Sequence, residues 1–185
     1  DNIPFHTVIW PSLIMGMNAA NSNGQITHKN TPGSLVLESN VSSNEYLMLQ
    51  GGQFSKSRKH AVWLPSFLER YDPDSLRYYL TINMPETHDT DFRWEDFVDR
   101  TNNELIGTYG NFVHRVMTLT HRLADEGENP LSRYDSHEDF NREIESCQNL
   151  LDSAIESMER QRFKEALRSI MGIAQVGNQV LQRAT

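Results

Sequence analysis

The sequence predicts a mainly α-helical protein in which an α/β remnant, residues 1–93, leads into an all-α helical bundle, residues 94–185. Two observations carry this. After Trp94 the apolar residues recur at spacings of three and four along three successive stretches, the signature of amphipathic helices. Before it, Ser34–Leu37 and Tyr46–Leu49 are short β-capable runs separated by the turn-rich Ser39-Asn40-Val41-Ser42-Ser43-Asn44. With 185 residues, 37% hydrophobic and 23% charged, the chain can bury a core as one domain or two small ones. No run approaches the roughly 18 apolar residues that a membrane span needs, and no charged-then-apolar signal segment opens the chain.

The net charge of −8 argues against an RNA partner until it is located. Between Asp125 and Glu165 stand 12 acidic and 5 basic residues, leaving only −1 for the rest. From Gln50 to Arg70 the balance is positive, with Lys56, Arg58, Lys59 and Arg70 against Glu69, so phosphate binding is allowed there. The single Cys147 excludes an internal disulfide, and its place on an apolar helical stripe points to core packing. Asn40-Val41-Ser42 matches a glycosylation acceptor that, without a secretory signal, is accidental.

Pro4 at a first helical position, followed by Phe5, Val8, Ile9, Leu13, Ile14 and Met17, predicts a largely buried helix to about residue 19, bent at Pro11. His6 and Trp10 are four apart and share a face beside Phe5. An imidazole with two aromatic rings can enclose a thioether, or simply form an aromatic core cluster. Asn21–Pro32 is polar and aperiodic and reads as a loop. Leu64–Tyr71 and Pro73–Met84 read as two short helices, the second with Asp72 as N-cap and Pro73 at its first position. Pro85–Arg93 reads as a polar connector. Trp94, Phe97, Val98, Leu105, Tyr109, Phe112, Val113 and Val116 predict one long helix to about Leu123, with Gly107 and Gly110 permitting a close helix crossing. Beyond the breaker Gly127-Glu128-Asn129-Pro130, Ser136 with Asp139 three later offers a cap for a helix marked by Phe140, Ile144, Cys147, Leu151, Ile155 and Met158. Phe163, Leu167, Ile170, Ala174, Gly177 and Leu181 mark the last.

The chemistry centres on Gly51-Gly52-Gln53-Phe54-Ser55-Lys56-Ser57-Arg58, where two glycines allow close backbone approach and two hydroxyls, an ammonium and a guanidinium offer donors without a carboxylate. This is a phosphate-handling loop in composition, placed where ligand loops of open α/β sheets lie. It resembles the Lys-Met-Ser-Lys-Ser loop of class I aminoacyl-tRNA synthetases, with Phe54 in the methionine place and Gln53 in that of the first lysine. Ala61-Val62-Trp63-Leu64-Pro65, Tyr71-Asp72-Pro73-Asp74-Ser75-Leu76-Arg77-Tyr78-Tyr79-Leu80, Asp89-Thr90-Asp91-Phe92-Arg93-Trp94 and Asn111-Phe112-Val113-His114-Arg115 extend the resemblance to the methionyl-tRNA synthetase family over nearly the whole chain. The His-x-Gly-His signature, a zinc knuckle and the first half of a nucleotide-binding sheet do not occur in it, which marks the chain as a C-terminal fragment.

What the resemblance implies is the end of a Rossmann-type class I catalytic domain joined to an anticodon-binding bundle truncated at its C-terminus, in a cytoplasmic enzyme. The activity implied is ATP-dependent conversion of methionine to methionyl-adenylate and transfer to tRNA(Met), with Mg2+ accompanying ATP and zinc only in the missing part, if at all. Lys56, in place of the second signature lysine, is the implied catalytic cation; Asp1, Gln53, Ser55, Lys56 and Ser57 would bind ATP. Phe5, His6 and Trp10 match the methionine pocket, and Asn111 and Arg115 match the anticodon-reading positions. Two departures stand out: Gln53 removes a charge, and Lys59 stands where a glycine commonly follows the Ser-Arg pair. The fragment alone is expected to be inactive. The alternative is a non-catalytic helical module that binds tRNA or a basic protein; another class I synthetase is poorer, since an aliphatic pocket should not need His6 with Phe5 and Trp10.

Overall fold

The computed structural model describes residues 2–21, 24, 33–127 and 140–184. Their contacts group the chain into two units, Asp1–Ser43 and Asn44–Thr185. The described residues are mainly helical, with one small three-stranded sheet among them. No described helix is long and apolar enough to cross a membrane.

In the first unit Pro11 shapes the helix around it. Lacking an N–H, it cannot close an α-turn onto the carbonyl four residues back. The turn just before it, Phe5–Ile9, is widened to π geometry, with the Trp10 N–H bonded to the Phe5 carbonyl, and α1 (Trp10–Asn21) follows. A wide turn thus stands directly ahead of Pro11. The expected burial is not found: Phe5, Val8, Ile9, Trp10, Leu13 and Met17 are about half exposed, and only Ile14, Asn18 and Ala19 are buried. These apolar positions spread around most of the helix. Among the described residues of this unit, the segment tied to α1 is the extended strip near Leu35, too narrow to cover them. Asn18 holds that strip: its amide donates to the Leu35 carbonyl at 2.9 Å and accepts from the Leu35 N–H at 2.8 Å. Ser34–Leu37 is not a strand, and at Leu35 a buried side chain takes both backbone groups that a ladder would have used. The polar loop expected over Asn21–Pro32 lies almost wholly outside the described residues.

The second unit is built on β1 (Leu47–Leu49), which pairs antiparallel with β2 (Gly52–Gln53) and parallel with β3 (Thr90–Phe92). The register sets Leu47 opposite Thr90 and Leu49 opposite Phe92. The polar connector Pro85–Arg93 accordingly contains a strand, which sequence analysis missed. Between the parallel strands run α2 (Leu64–Leu68) and α3 (Pro73–Ile82). Asp72 caps α3 as expected, its carboxylate accepting from the Asp74 N–H at 2.8 Å, with Pro73 at the first helical position. Helix α2 stops before Tyr71, at the first turn.

Leu49, Phe67, Leu76, Tyr79, Phe92 and Phe97 form the core against which Trp94 packs. Tyr79 is fully buried, so its hydroxyl needs partners. It donates to Asp96 at 3.0 Å and accepts from the Arg93 N–H at 3.2 Å. Burial, aided by Asp96, pushes the phenol up to about 12. Tyr78 donates to Glu104 at 2.6 Å and is also shifted upward, chiefly by burial. Arg100 joins both carboxylates, at 3.0 Å to Asp96 and 3.2 Å to Glu104, tying α3 to the helix that follows.

That helix runs unbroken as α4 (Trp94–Arg100), a π-helical stretch Thr101–Gly110 and α5 (Asn111–Asp125), in accord with the single long stripe. Gly107 explains the wide middle. A Cβ there would lie 2.9 Å from the Asn102 carbonyl oxygen, so the residue that admits this turn must lack one. Helices α6 (Asn141–Glu159) and α7 (Phe163–Ala184) pack along each other, and α7 meets α5 where the Phe112 ring lies over Gly177. Helix α7 does cross the stretch that holds Gly107 and Gly110, but a Cβ at either glycine would meet only its own helix, so the glycines are not what admits it. The breaker beyond Gly127 and the Ser136/Asp139 cap lie outside the described residues. Cys147 is half-buried in the wall of an apolar cleft of about 530 Å³ between α6 and α7. Glu86 accepts from the Lys164 N–H at 2.9 Å, placing a carboxylate at the positive end of α7.

Gly177→Ala would put a methyl carbon 2.3 Å from Phe112 Cε2. The expected cost is about 1–3 kcal/mol of overpacking, read as a lower urea midpoint. An unchanged midpoint would mean that the ring swings aside freely.

Candidate functional site

The loop after β1 is a short hairpin. Gln53 lies in β2 with its side chain exposed, and Ser55 pairs with His60 through two backbone hydrogen bonds of 2.8 and 2.9 Å. Lys56, Ser57, Arg58 and Lys59 form the tip, closed by the Lys59 N–H donating to the Lys56 carbonyl at 3.1 Å. Ser55 Oγ lies 3.2 Å from Ser57 Oγ and accepts from the Arg58 N–H at 3.3 Å. Of the predicted phosphate-binding residues, Ser55 and Ser57 have their hydroxyls in contact, Lys56 stands exposed between them in the chain, and Gln53 lies at the root of the same hairpin. Lys56, Arg58 and Lys59 are exposed, and among the described residues none of their side chains has an ion-pair partner.

Lys59 has φ +54°, in the left-handed region where a Cβ costs about 1–2 kcal/mol and glycine costs nothing. The glycine that commonly follows the Ser-Arg pair fits this backbone. Lysine adds a charge there at the expense of local strain.

Two groups that sequence analysis did not single out anchor the loop. Asp91 on β3 accepts from the Gly51 N–H with both oxygens at 3.0 Å and pairs with Arg93 at 2.8 Å. The Gly51 N–H above all, and then Arg93, hold its carboxyl below the usual range. His60 Nε2 is 2.7 Å from the Leu49 carbonyl, and since a carbonyl only accepts, that nitrogen carries the proton. Asp91 stands 40 residues from Gly51, so only the parallel pairing of β1 and β3 discloses its role.

Phe5 and His6 touch edge to face, with ring centroids 5.5 Å apart. Trp10 makes no ring contact with either. All three side chains stand exposed in the first unit. Asp1 lies outside the described residues.

Asn111 and Arg115 lie one turn apart at the start of α5, and α7 joins them. Asn111 Nδ2 donates to Asn178 Oδ1 at 3.1 Å, and Arg115 Nη1 donates to the Asn178 carbonyl at 3.3 Å. Asn178 Nδ2 donates in turn to the Thr108 carbonyl at 2.9 Å. Beyond Arg115, a groove of about 230 Å³ is lined by His114, Thr118, Leu119 and Arg122, with no acidic side chain. This face offers amide and guanidinium groups to an unpaired base and positive charge to its backbone. Asn178 is a further residue that sequence analysis missed, since it is 67 positions away from Asn111.

Residues 1–117 match the family model described as tRNA synthetases class I (M). The chain is 38% identical over 181 residues to a methionine–tRNA ligase of Roseiflexus castenholzii, covering 98% of this chain and 28% of that protein. A methionine–tRNA ligase of Thermococcus onnurineus is 38% identical over 179 residues, covering 96% of this chain and 23% of the relative. One of Dehalococcoides mccartyi is 41% identical over 181 residues, covering 98% and 30%. The chain thus spans less than a third of the length of these curated relatives.

Proposed function

This chain belongs to the class I tRNA synthetases (M), and from that premise we propose that it is the C-terminal part of a methionine–tRNA ligase, which activates methionine with ATP and transfers it to tRNA(Met). Residues 1–93 are assigned to the end of a Rossmann-type catalytic domain and residues 94–185 to an anticodon-binding bundle. The observation that carries the reading is the exposed Lys56 between two hydroxyls, on a hairpin whose base is pinned by Asp91 and whose tip meets no carboxylate among the described residues.

In-line attack of the methionine carboxylate on the ATP α-phosphate crowds negative charge onto the phosphates. A preplaced ammonium at Lys56 stabilises that charge as it develops, with Ser55 and Ser57 donating to phosphate oxygens. ATP enters as its Mg2+ complex. Gln53 sits at the root of the same hairpin, and Asp1 is assigned to the ATP ribose. Phe5, His6 and Trp10 are assigned to the methionine side chain, whose polarisable sulfur favours ring contacts. Asn111 and Arg115 are assigned to the anticodon. The chain by itself, spanning under a third of its relatives, should lack methionine-dependent pyrophosphate exchange, and measurable exchange would overturn that assignment.

Titration with tRNA tests the reading. The whole protein should bind tRNA(Met) better than the same tRNA with a changed anticodon, and Asn111→Ala or Arg115→Ala should each weaken that preference by about tenfold or more, the scale of one lost base contact. Binding that follows salt concentration alone, indifferent to the anticodon, would instead favour a non-catalytic helical module.

A further inference from the structure

We infer that Asn178 is a positioning residue that sets the polarity of the Asn111 amide and so decides which base edge this surface accepts, an inference that rests on the anticodon reading of Asn111 and Arg115. A backbone carbonyl has lone pairs and no hydrogen, so the Thr108 oxygen requires an N–H from Asn178, and Asn178 Nδ2 meets it at 2.9 Å. The Asn178 amide then has one orientation. Its Oδ1 faces Asn111 at 3.1 Å, and Asn111 must answer with its own N–H. What remains of Asn111 is a carbonyl oxygen with both lone pairs and one further N–H. The polarity of an exposed side chain on α5 is thereby fixed by a main-chain oxygen one turn earlier, relayed through a side chain on α7.

The same residue steadies the second reader. The Asn178 carbonyl accepts from Arg115 Nη1 at 3.3 Å, which holds one corner of the guanidinium and leaves its other donors for a ligand. Among the described residues, Asn178 is the hydrogen-bond partner of both side chains. Its neighbour Gly177 is what lets α7 come near enough, since the Phe112 ring occupies the space of a Cβ there. The ligand class that fits is an unpaired base presenting an exocyclic amino group toward the Asn111 oxygen, beside ring or carbonyl acceptors for Arg115. A base with a carbonyl in place of that amino group would set oxygen against oxygen.

The probe is an RNA hairpin carrying the methionine anticodon, with versions in which an amino group is exchanged for a carbonyl, cytosine for uracil and adenine for hypoxanthine. Fluorescence titration of the whole protein gives the ratio of dissociation constants. We expect Asn178→Asp, which keeps the shape but loses the N–H facing Thr108, to reduce that ratio by about tenfold, and Asn178→Ala to do the same. A merely structural role would weaken all hairpins alike and leave the ratio unchanged, which would overturn the inference. In the Asn111→Ala background, Asn178→Asp should change the ratio no further; independent, additive losses would also overturn it. If Asn111→Ala and Arg115→Ala reduce discrimination while Asn178→Asp does not, the inference falls and the anticodon reading stands. If Asn111→Ala has no effect on discrimination, both fall.

Discussion

Lys56→Ala in the intact ligase should slow methionyl-adenylate formation by about a hundredfold or more, measured as methionine-dependent exchange of pyrophosphate into ATP. The size is that of removing one preplaced electrostatic partner from a developing anion. Its sign follows from the hairpin's charge: Lys56 is exposed at the tip, no carboxylate pairs with it among the described residues, and Asp91, the nearest acid in the loop's bonding, is spent on Gly51 and Arg93. The loss should appear mainly in kcat, because a cation that meets charge formed in the transition state contributes little to ground-state affinity. Alanine leaves the backbone bond from Lys59 to the residue-56 carbonyl in place, so the turn itself should survive. Exchange within about threefold of the unmodified enzyme would remove Lys56 from the chemistry, since no stabiliser of this kind is worth so little. Arg58 and Lys59 are the exposed neighbouring cations able to mask the effect, and the left-handed backbone of Lys59 already costs the turn some stability.

How much of this could be read from sequence divides by range. The long stripe from Trp94, the stripes of α6 and α7 and the Asp72-Pro73 start of α3 depend on neighbours three or four residues away, and the structure contains all of them. The signature loop is contiguous, so its residues were legible together, and Lys59 was legible as a departure before its positive φ gave the reason. What failed was non-local. β3 is three residues with Phe92 as its one large apolar side chain, and it is a strand only because β1 lies beside it. Ser34–Leu37 has strand composition but is not a strand, and at Leu35 it is Asn18 that takes the backbone groups. The apolar content of α1 predicts burial, but it counts surface that wants cover and says nothing about whether cover is present. Asp91 and Asn178 bear on the candidate sites through partners 40 or more positions away, and no local pattern marks them.

Phe97→Ala should be the most damaging single truncation in the second unit, costing about 3–5 kcal/mol of a total stability of the order of 5–15 kcal/mol. Phe97 is 2% exposed and is in ring contact with Phe67, Tyr71, Tyr79, Phe92 and Trp94, so the space it fills is bounded by side chains from α2, α3, β3 and α4. Those rings are themselves fixed: Tyr79 by Asp96 and the Arg93 N–H, Phe92 by its place opposite Leu49. A cavity walled by such groups collapses poorly, which puts the cost toward the upper end of the range. Alanine is the better helix former, but in α4 that returns only about 0.5 kcal/mol. Urea denaturation measures the difference, and Phe97→Leu separates its parts by keeping most of the volume while losing the edge-to-face geometry. A loss near 1–2 kcal/mol for leucine and more than about 3 kcal/mol for alanine would place the cost in the void, whereas equal losses would place it in the aromatic contacts. Because the parallel pair that carries both the hairpin and its Asp91 anchor rests on this cluster through Leu49 and Phe92, the alanine variant should also free the Gly51 amide to exchange with solvent hydrogen faster, which links the core to the loop it supports.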